Sequence, residues 1–529
     1  RVKFDCYKAL LYKGAILQTQ GDLNAAKDCF NQVIKINPNH AETYSYIGAI
    51  HFLKNELNLA EILFQKAIKI KPDEASFYNS LGSTLNKKGN VNAAKRNFGK
   101  ALKIRPDYAE AHSNLANLFM EKGDLNAALK SHTQAISVKP NSAECHNNMG
   151  ITLRASLEFH AAIESYKTAI RLKPTYAAAF NNLGSVQKDM GDYEVAIDSF
   201  KQALRIDPNL GLAHLNLSFA LFHVGKLKEG LDEYEFRWKS DDGPVERRFL
   251  QPMWDGTASL LDKKLLVWGE QGPQDMTIWS SCLSYLSARA ENCILECPEK
   301  LVSLFSRSFP DIDVRGEKID SDTQREDFDF HLPMGSLFKH FIPEISNDFK
   351  PEAFLIPDPV RVKFWRERLN SLGAGPFVGI SWKSPLMKTS RLQNYTKISD
   401  WSPVLSLNNV TFINLQSTDF IDDLAEIENE FGVIVHNFND LDHYDGLDDV
   451  AALTAALDIV ISVSTAVSAI AAGVGTPTKL VAWRQSPWNN ILLAPRGPFV
   501  DVFERNTWEP WDEVFQSIKK TFPANHSHS

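Results

Sequence analysis

The hydrophobic pattern changes character once along the chain. Over roughly the first 240 residues, apolar positions recur at helical spacing in stretches that alternate with short polar turns. Past about residue 261 they gather in short runs separated by helix-length segments. A 34-residue beat rules the first region. Prolines stand at Pro38, Pro72, Pro106, Pro140, Pro174 and Pro208, each inside a similar phrase, from IKINPNHAETY to LRIDPNLGLAH. Glycines keep the same interval at Gly21, Gly89, Gly123, Gly191 and Gly225, and Asn55 and Leu157 fill the two missing beats. Each interval predicts two helices, because glycine permits the turn between them and proline ends the second. One such hairpin cannot bury its apolar face, whereas a stack can. The small pairs Ala25 and Ala26, Ala93 and Ala94, Ala127 and Ala128, and Ala161 and Ala162 are read as close-packing positions between helices.

These six prolines in register resemble the tetratricopeptide repeat (TPR) over about residues 5–238. A concave solenoid surface of that kind is expected to bind peptide or protein. A further beat is harder to place in the core. Asn114, Asn148, Asn182 and Asn216 are also 34 apart, and Ser80 takes the preceding position. Asparagine is a poor helix former and gains nothing from an apolar interface. On the first helix of each repeat, a row of amides can hydrogen-bond a peptide backbone without reading its sequence. The row is similar to the asparagine ladder in the TPR arm of the O-linked GlcNAc transferases, a resemblance that implies an acceptor-peptide groove. The other reading is that these amides satisfy groups inside the solenoid.

The beat stops after Gly225 and Gly230. A last capping helix is expected to about residue 239, then a connector to about 261. The second region predicts strands at 264–268, 293–296, 328–330, 377–381, 411–415, 433–435, 459–463 and 479–482. Helices are expected between many of them, at 278–290, 299–308, 360–372, 420–431 and 448–457. Such alternation means parallel sheets covered by helices. The expected fold is therefore an all-α TPR superhelix (1–239), a connector (240–261) and an α/β domain of two Rossmann-like lobes. Those lobes are 262–357 and 376–522, joined by 358–375 and followed by a tail at 523–529. A ligand would sit in the cleft at the strand ends, and a final helix at 511–521 is expected to pack back across the halves.

The segments QPMWDG, KLLVWGEQGPQD, ILECPEKLVSLFSRSFPDIDV, GISWKS, LDDVAALTAALDIVISVSTAVSAIAAGVGTP and SPWNNILL resemble bacterial TPR-linked glycosyltransferase domains. These are relatives of the lipopolysaccharide heptosyltransferases with the GT-B fold, and the resemblance covers about residues 251–520. The GISW-type and STAV-type motifs are similar to those of TPR-containing flagellin glycosyltransferases. That implies transfer of a nonulosonic acid from a CMP-activated donor to Ser or Thr of an acceptor such as flagellin, ahead of UDP- or ADP-sugars.

Glycosyl transfer needs a nucleophilic hydroxyl, a held leaving phosphate and a cleft that excludes water. The loop GEQGPQD lies close to the family pattern GEQGLGD, whose acidic residue is the proposed base. Asp275 matches it and Gly272 falls in the donor loop, while Gln274 and Pro273 depart from the pattern. Asp275 alternatively caps a helix starting near Met276. In ISVSTAVSAIAAGVG, a helix starting at Ser464 or Thr465 would offer free N–H groups to a phosphate, and Ser464, Thr465 and Ala466 are small enough for close approach. The heptosyltransferase branch reads closer to DTAVAHLAGALG there, so Ser464 replaces Asp and Ala469 replaces His. Both departures point to a donor other than ADP-heptose, or to lost activity. Lys383 matches a basic position of the family motif and is assigned to the departing phosphate. Arg391 and Tyr395 are weaker candidates, and Lys388 reads as a solvated loop cation.

Composition narrows the alternatives. The chain has 529 residues, 44% hydrophobic and 23% charged, which is a globular balance. Net charge is −8, which argues against a general nucleic-acid binder. Residues 1–240 carry 31 Lys and Arg against 24 Asp and Glu, so the acidity lies in the second region. No apolar run reaches the ~18 residues of a spanning helix. Six scattered cysteines point to a reduced, cytoplasmic setting. Cys293 and Cys297 lack a second ligand pair for zinc and are read as core thiols. The acidic run NDLDHYDGLDD is expected to cap the helix after it, calcium-loop spacing being absent. No motif calls for a metal or a resident cofactor, the nucleotide-sugar being a substrate. The chain begins at Arg1 rather than Met, so a cut N-terminus is expected, and the sequence leaves a preceding targeting segment open. The competing function is a TPR scaffold whose transferase-like domain has lost catalysis.

Overall fold

A computed structural model of the chain describes residues 2–240, 243–290, 292–318, 325–341, 353–384, 396–418, 420–483, 499–505 and 509–522. The chain divides into two compact units, Arg1–Val186 and Gln187–Ser529.

The first unit is a stack of helix hairpins running from α1 (Val2–Thr19) through α8 (Leu125–Val138) and α9 (Ala143–Ala155) to α10 (Phe159–Leu172). Its turns follow the glycine beat. Gly21, Gly89 and Gly123 take φ of 75–85°, and Asn55 and Leu157 take the same left-handed conformation at 61° and 62°. The residue after a turn glycine caps the next helix: Asp22 accepts from Ala25 N at 3.0 Å and Asp124 from Ala127 N at 3.0 Å. The phrase around each proline closes on itself. Tyr44 and Tyr78 hydroxyls donate to the Pro38 and Pro72 carbonyls, and His112 and His146 ring nitrogens to those of Pro106 and Pro140, all within 3.1 Å.

A third register runs through the core. Phe30, Phe64, Phe98 and Tyr166 are buried at multiples of 34, and His132 stands at the same beat. Opposite four of the rings lie Gly14, Gly48, Gly82 and Gly150; a Cβ on Gly82 would meet the Phe98 ring at 2.6 Å. The His132 repeat has Ala116 where the others have that glycine.

The second unit begins inside the repeat pattern and continues through α13 (Gly211–His223), α14 (Leu227–Tyr234) and a 3₁₀ turn at Glu235–Lys239. Phe222, Leu231 and Tyr234 share one core with the first sheet. That sheet contains β1 (Lys264–Trp268), β2 (Asn292–Cys297), β3 (Ile312–Gly316) and β4 (Phe330–Pro333) in the order β3-β2-β1-β4, all parallel. One face carries α15 (Pro273–Trp279), α16 (Leu283–Ser287) and α17 (Glu299–Ser308). The other is covered, among the described residues, by Trp238 of the 3₁₀ turn and by Phe249 of the connector, packed on Leu266, Trp268, Ile294 and Phe328.

The second sheet runs β10-β9-β8-β5-β6-β7, again all parallel. Its strands are β5 (Phe377–Ser381), β6 (Thr411–Asn414), β7 (Val435–His436), β8 (Ile459–Val463), β9 (Thr478–Trp483) and β10 (Val500–Arg505). Cores lie on both faces, one with α18 (Pro359–Asn370), α21 (Leu447–Ala456) and α22 (Ala466–Val474), the other with α19 (Ser402–Leu405), α20 (Ile421–Phe431) and α23 (Asp512–Lys520).

Three expectations change. The helix expected at 278–290 starts at Pro273 and is interrupted by a 3₁₀ turn at Ser280–Cys282, where Ser280 and Ser281 hydroxyls donate back to the Thr277 and Ile278 carbonyls at 2.7 Å. Asp275 therefore sits in the first turn rather than at the cap, which is Gly272. The final helix does not cross to the first sheet: Val514, Phe515 and Ile518 join Val378, Ile380 and Trp401 in the core of the second.

Candidate functional site

In open parallel sheets the ligand crevice lies outside the carboxyl ends of the strands. Two turns meet there. The first leaves β1 through Gly269, Glu270, Gln271 and Gly272 into α15. The second leaves β8 through Ser464 and Thr465 into α22. The helices α15 and α22 pack together, with Met276, Trp279, Ala469 and Ile470 in one buried cluster. At their tips the Gln274 Nε2 donates to Ser464 Oγ at 2.8 Å. Ser381 of β5 lies in register with Ser462 of β8, so Lys383 and Ser464 leave adjacent strands at the same end.

The Glu270 side chain is fully buried and clamped. Its carboxylate accepts Arg237 Nε at 2.7 Å, Arg237 Nη2 at 2.9 Å and Gly335 N at 2.6 Å. Burial pushes its carboxyl up from the ordinary range, against the pull of the guanidinium. Gln271 Nε2 donates to Tyr234 Oη at 3.0 Å. Asp275, half-buried, lies close enough to add to the upward shift of Tyr234, whose main cause is burial. Gly272, the cap of α15, is exposed.

At the tip of α22 the Thr465 hydroxyl accepts from the Ser468 backbone, and Ser468 Oγ accepts from Thr465 N at 3.1 Å. This reciprocal cap leaves Thr465 only 7% exposed, with its hydroxyl engaged in its own helix. Ser464 and Ala466 are half-buried, and Ala469 is buried in the interface with α15. Lys383 is held at 2.5 Å from Asp423 Oδ2, which also accepts from Trp382 Nε1 at 2.7 Å. Gln416 pins the same turn by accepting from Trp382 N and Lys383 N and donating to Lys383 O. Thus Asp275, Gln274, Ser464, Thr465 and Ala466 are brought to one place, while the charge of Lys383 is balanced by a partner on α20. Arg391, Lys388 and Tyr395 lie outside the described residues, as does the tail after residue 522.

In the repeats, Ser80, Asn114, Asn148, Asn182 and Asn216 are all half-buried. Asn114 Nδ2 donates to Asn79 Oδ1 at 2.9 Å and Asn182 Nδ2 to Asn147 Oδ1 at 3.0 Å. Two of the ladder amides are thus bonded to buried asparagines one register position earlier, Asn79 and Asn147, two beats apart, that sequence reasoning passed over. The clamp residues Tyr234, Arg237, Glu270 and Gln271 were also missed. Arg237 is a lone cation with no motif of its own.

The acidic run binds protein cations. Asp449 accepts from Arg361 at 2.6 and 2.8 Å and from Trp365 Nε1 at 2.7 Å, Asp440 pairs with Arg368 at 2.6 Å, and Asp448 pairs with Arg307. Among the described residues no group of three or more His, Cys, Asp or Glu is placed to hold a metal, and no helix is long and apolar enough to cross a membrane. Cys29, Cys145, Cys282, Cys293 and Cys297 are buried free thiols. A cavity of about 620 Å³, lined by Pro376, Asn409, Gln516 and Lys519, lies at the amino ends of β5 and β6, the opposite end of those strands from Ser381.

Tetratricopeptide repeat family models match residues 7–40 and 177–210, 111–144, and 82–123 with 158–191. Protein FlbA of Caulobacter vibrioides is 32% identical over 313 residues, 55% of this chain and 52% of FlbA. The chain thus spans about half the length of that relative. Among solved structures, the Cut9–Hcn1 hetero-tetramer of APC/C is similar over 43% of this chain and 46% of that one, at 20% identity and a TM-score of 0.39. TTC0263, a thermophilic TPR protein in Thermus thermophilus, is similar over 34% of this chain and 99% of its own, at 18% identity and a TM-score of 0.32. The chain carries tetratricopeptide repeats in its N-terminal helical region, followed by an α/β region built on two parallel sheets.

Proposed function

We propose that the protein is a cytoplasmic protein glycosyltransferase. The repeats hold an acceptor polypeptide such as flagellin, and the two-sheet region transfers a sugar to its Ser or Thr from a nucleotide-activated donor, a CMP-nonulosonate by resemblance. The observation that carries this reading is the meeting of the β1 and β8 turns at the carboxyl ends of two parallel sheets, with Asp275 on one and Ser464, Thr465 and Ala466 on the other. Asp275 takes the proton from the acceptor hydroxyl. The acceptor hydroxyl oxygen then attacks the anomeric carbon, the bond from that carbon to the phosphate oxygen breaks, and CMP leaves with the electron pair. The backbone N–H groups at the start of α22 face the leaving phosphate. Lys383 contributes only if the donor draws it from Asp423. Incubation with labelled CMP-, UDP- and ADP-sugars tests the reading: binding or turnover of one of them is expected, and none with any would contradict it.

A second reading, a TPR scaffold with a silent transferase-like region, is favoured by one observation. The Gln274 side chain bonds Ser464, and Thr465 caps its own helix, so the polar groups at the tip already have protein partners.

A further inference from the structure

Arg237 stands at the end of the last repeat, 33 positions before Glu270. Its guanidinium is 1% exposed, and every nitrogen is engaged: Nε and Nη2 with Glu270, Nη2 also with Ser336 Oγ at 2.9 Å, and Nη1 with Tyr234 O at 3.2 Å and Glu235 Oε1 at 3.0 Å. Ser336 in turn donates to Glu235 at 2.8 Å. The planar cation lies against Tyr234 and Trp238, whose rings are centred 4.7 and 4.4 Å away. Three segments therefore converge on one side chain: the end of the array, the turn after β1, and the turn after the adjacent strand β4.

A buried ion pair is a poor means of stabilising a core, because the desolvation of two charges offsets their attraction. Its geometry is nonetheless strict. A bidentate guanidinium–carboxylate pair fixes distance and plane together, and Glu270 also lies close against the backbone after β4: a Cβ on Gly335 would meet its Oε1 at 2.3 Å. Tyr234, three residues earlier on the same repeat, holds the next loop residue, Gln271. Glu270 and Gln271 are thus both fixed by the last repeat. Four residues further on stands Asp275.

We infer that Arg237 is a positioning residue: it sets the conformation of the 269–275 turn from the end of the repeat array, so that the last repeat and the turn carrying Asp275 move as one body. The holding of the turn stands on geometry alone. Its consequence for transfer rests on the glycosyltransferase reading.

Hydrogen–deuterium exchange on the full chain separates the two. In Arg237→Met, exchange of the peptide covering 269–276 is expected to rise about tenfold or more, while peptides from β8 and α20 keep wild-type rates. Arg237→Lys, which keeps the charge but not the fork, is expected to fall between the two. Tyr234→Phe, a milder change that removes only the Gln271 bond, is expected to raise exchange at the same peptide two- to threefold. Unchanged exchange at 269–276 in these variants, or an equal rise throughout the chain, would overturn the inference. Donor turnover is followed in parallel. A loop response in a chain that turns over no nucleotide-sugar removes the transferase reading and leaves the positioning role. Turnover that falls with no loop response does the reverse.

Discussion

Gln274 and Ser464, 190 residues apart, share a hydrogen bond of 2.8 Å between the tips of α15 and α22. Both positions stand out in the sequence reading, where the heptosyltransferase resemblance implies glycine and aspartate. Their contact couples the two turns: the amide in the turn after β1 donates to the hydroxyl in the turn after β8. A double-mutant cycle in thermal unfolding checks this. Gln274→Ala and Ser464→Ala are each expected to cost about 1 kcal/mol, with the double variant costing little more than either alone. Additive losses would mean the two side chains do not act together.

Leu157 occupies a turn position that glycine holds in five of the seven repeats, at φ of 62°. A side chain there crowds the backbone, and Leu157 is 40% exposed, so its burial offers little in return. Leu157→Gly is expected to stabilise the chain slightly, by about 0.5–1 kcal/mol after the extra freedom of the unfolded glycine is counted. A lower melting temperature in the variant would contradict this.

His132 takes the ring position of its repeat, and burial alone pushes its imidazole down to about 4 from 6.5. Neither ring nitrogen has a hydrogen-bond partner among the described residues. The folded state therefore binds this proton less readily than the unfolded one. The stabilisation is fully present above pH 6.5 and is lost as pH falls toward 4, by roughly 3 kcal/mol in all. His132→Leu removes that component. The melting temperature of the variant relative to wild type is expected to be higher at pH 4.5 than at pH 7, and a constant difference would contradict the assignment.

The asparagine row has two jobs that mutation can separate. Asn182→Ala strips Asn147 of a donor and is expected to cost about 1–2 kcal/mol of stability. Combined with Asn148→Ala, and measured well below the melting temperature, it is also expected to weaken binding of an extended Ser/Thr-containing polypeptide about tenfold while leaving nucleotide-sugar binding alone. Unchanged polypeptide affinity would leave the row a purely internal brace.

Much of this architecture was legible because it is periodic. The proline and glycine beats mark helix ends within a residue or two, since each residue type acts on the backbone where it stands. Central strands were legible for a related reason. β1, β5 and β8 are buried on both faces and read as continuous apolar runs. Of the edge strands, β4 and β7 were placed within two or three residues, and the other two were not. β3, IDVRG, and β10, VDVFER, mix charge into the run because part of each faces outward, and both were passed over. The candidate site was legible as motifs and not as a network. Asp275 and Ser464 announced themselves by their neighbours in sequence, whereas the Arg237 to Glu270 pair and the Lys383 to Asp423 pair join residues whose chemistry appears only when the chain is folded.

The most direct test of the central claim is a mass-shift assay on candidate acceptor proteins with a CMP-nonulosonate, wild type beside Asp275→Ala. The account predicts that wild type adds the sugar to Ser or Thr, while the variant still binds the nucleotide-sugar but transfers it at least a hundredfold more slowly, about the contribution of a general base. Equal modification by both proteins would contradict it.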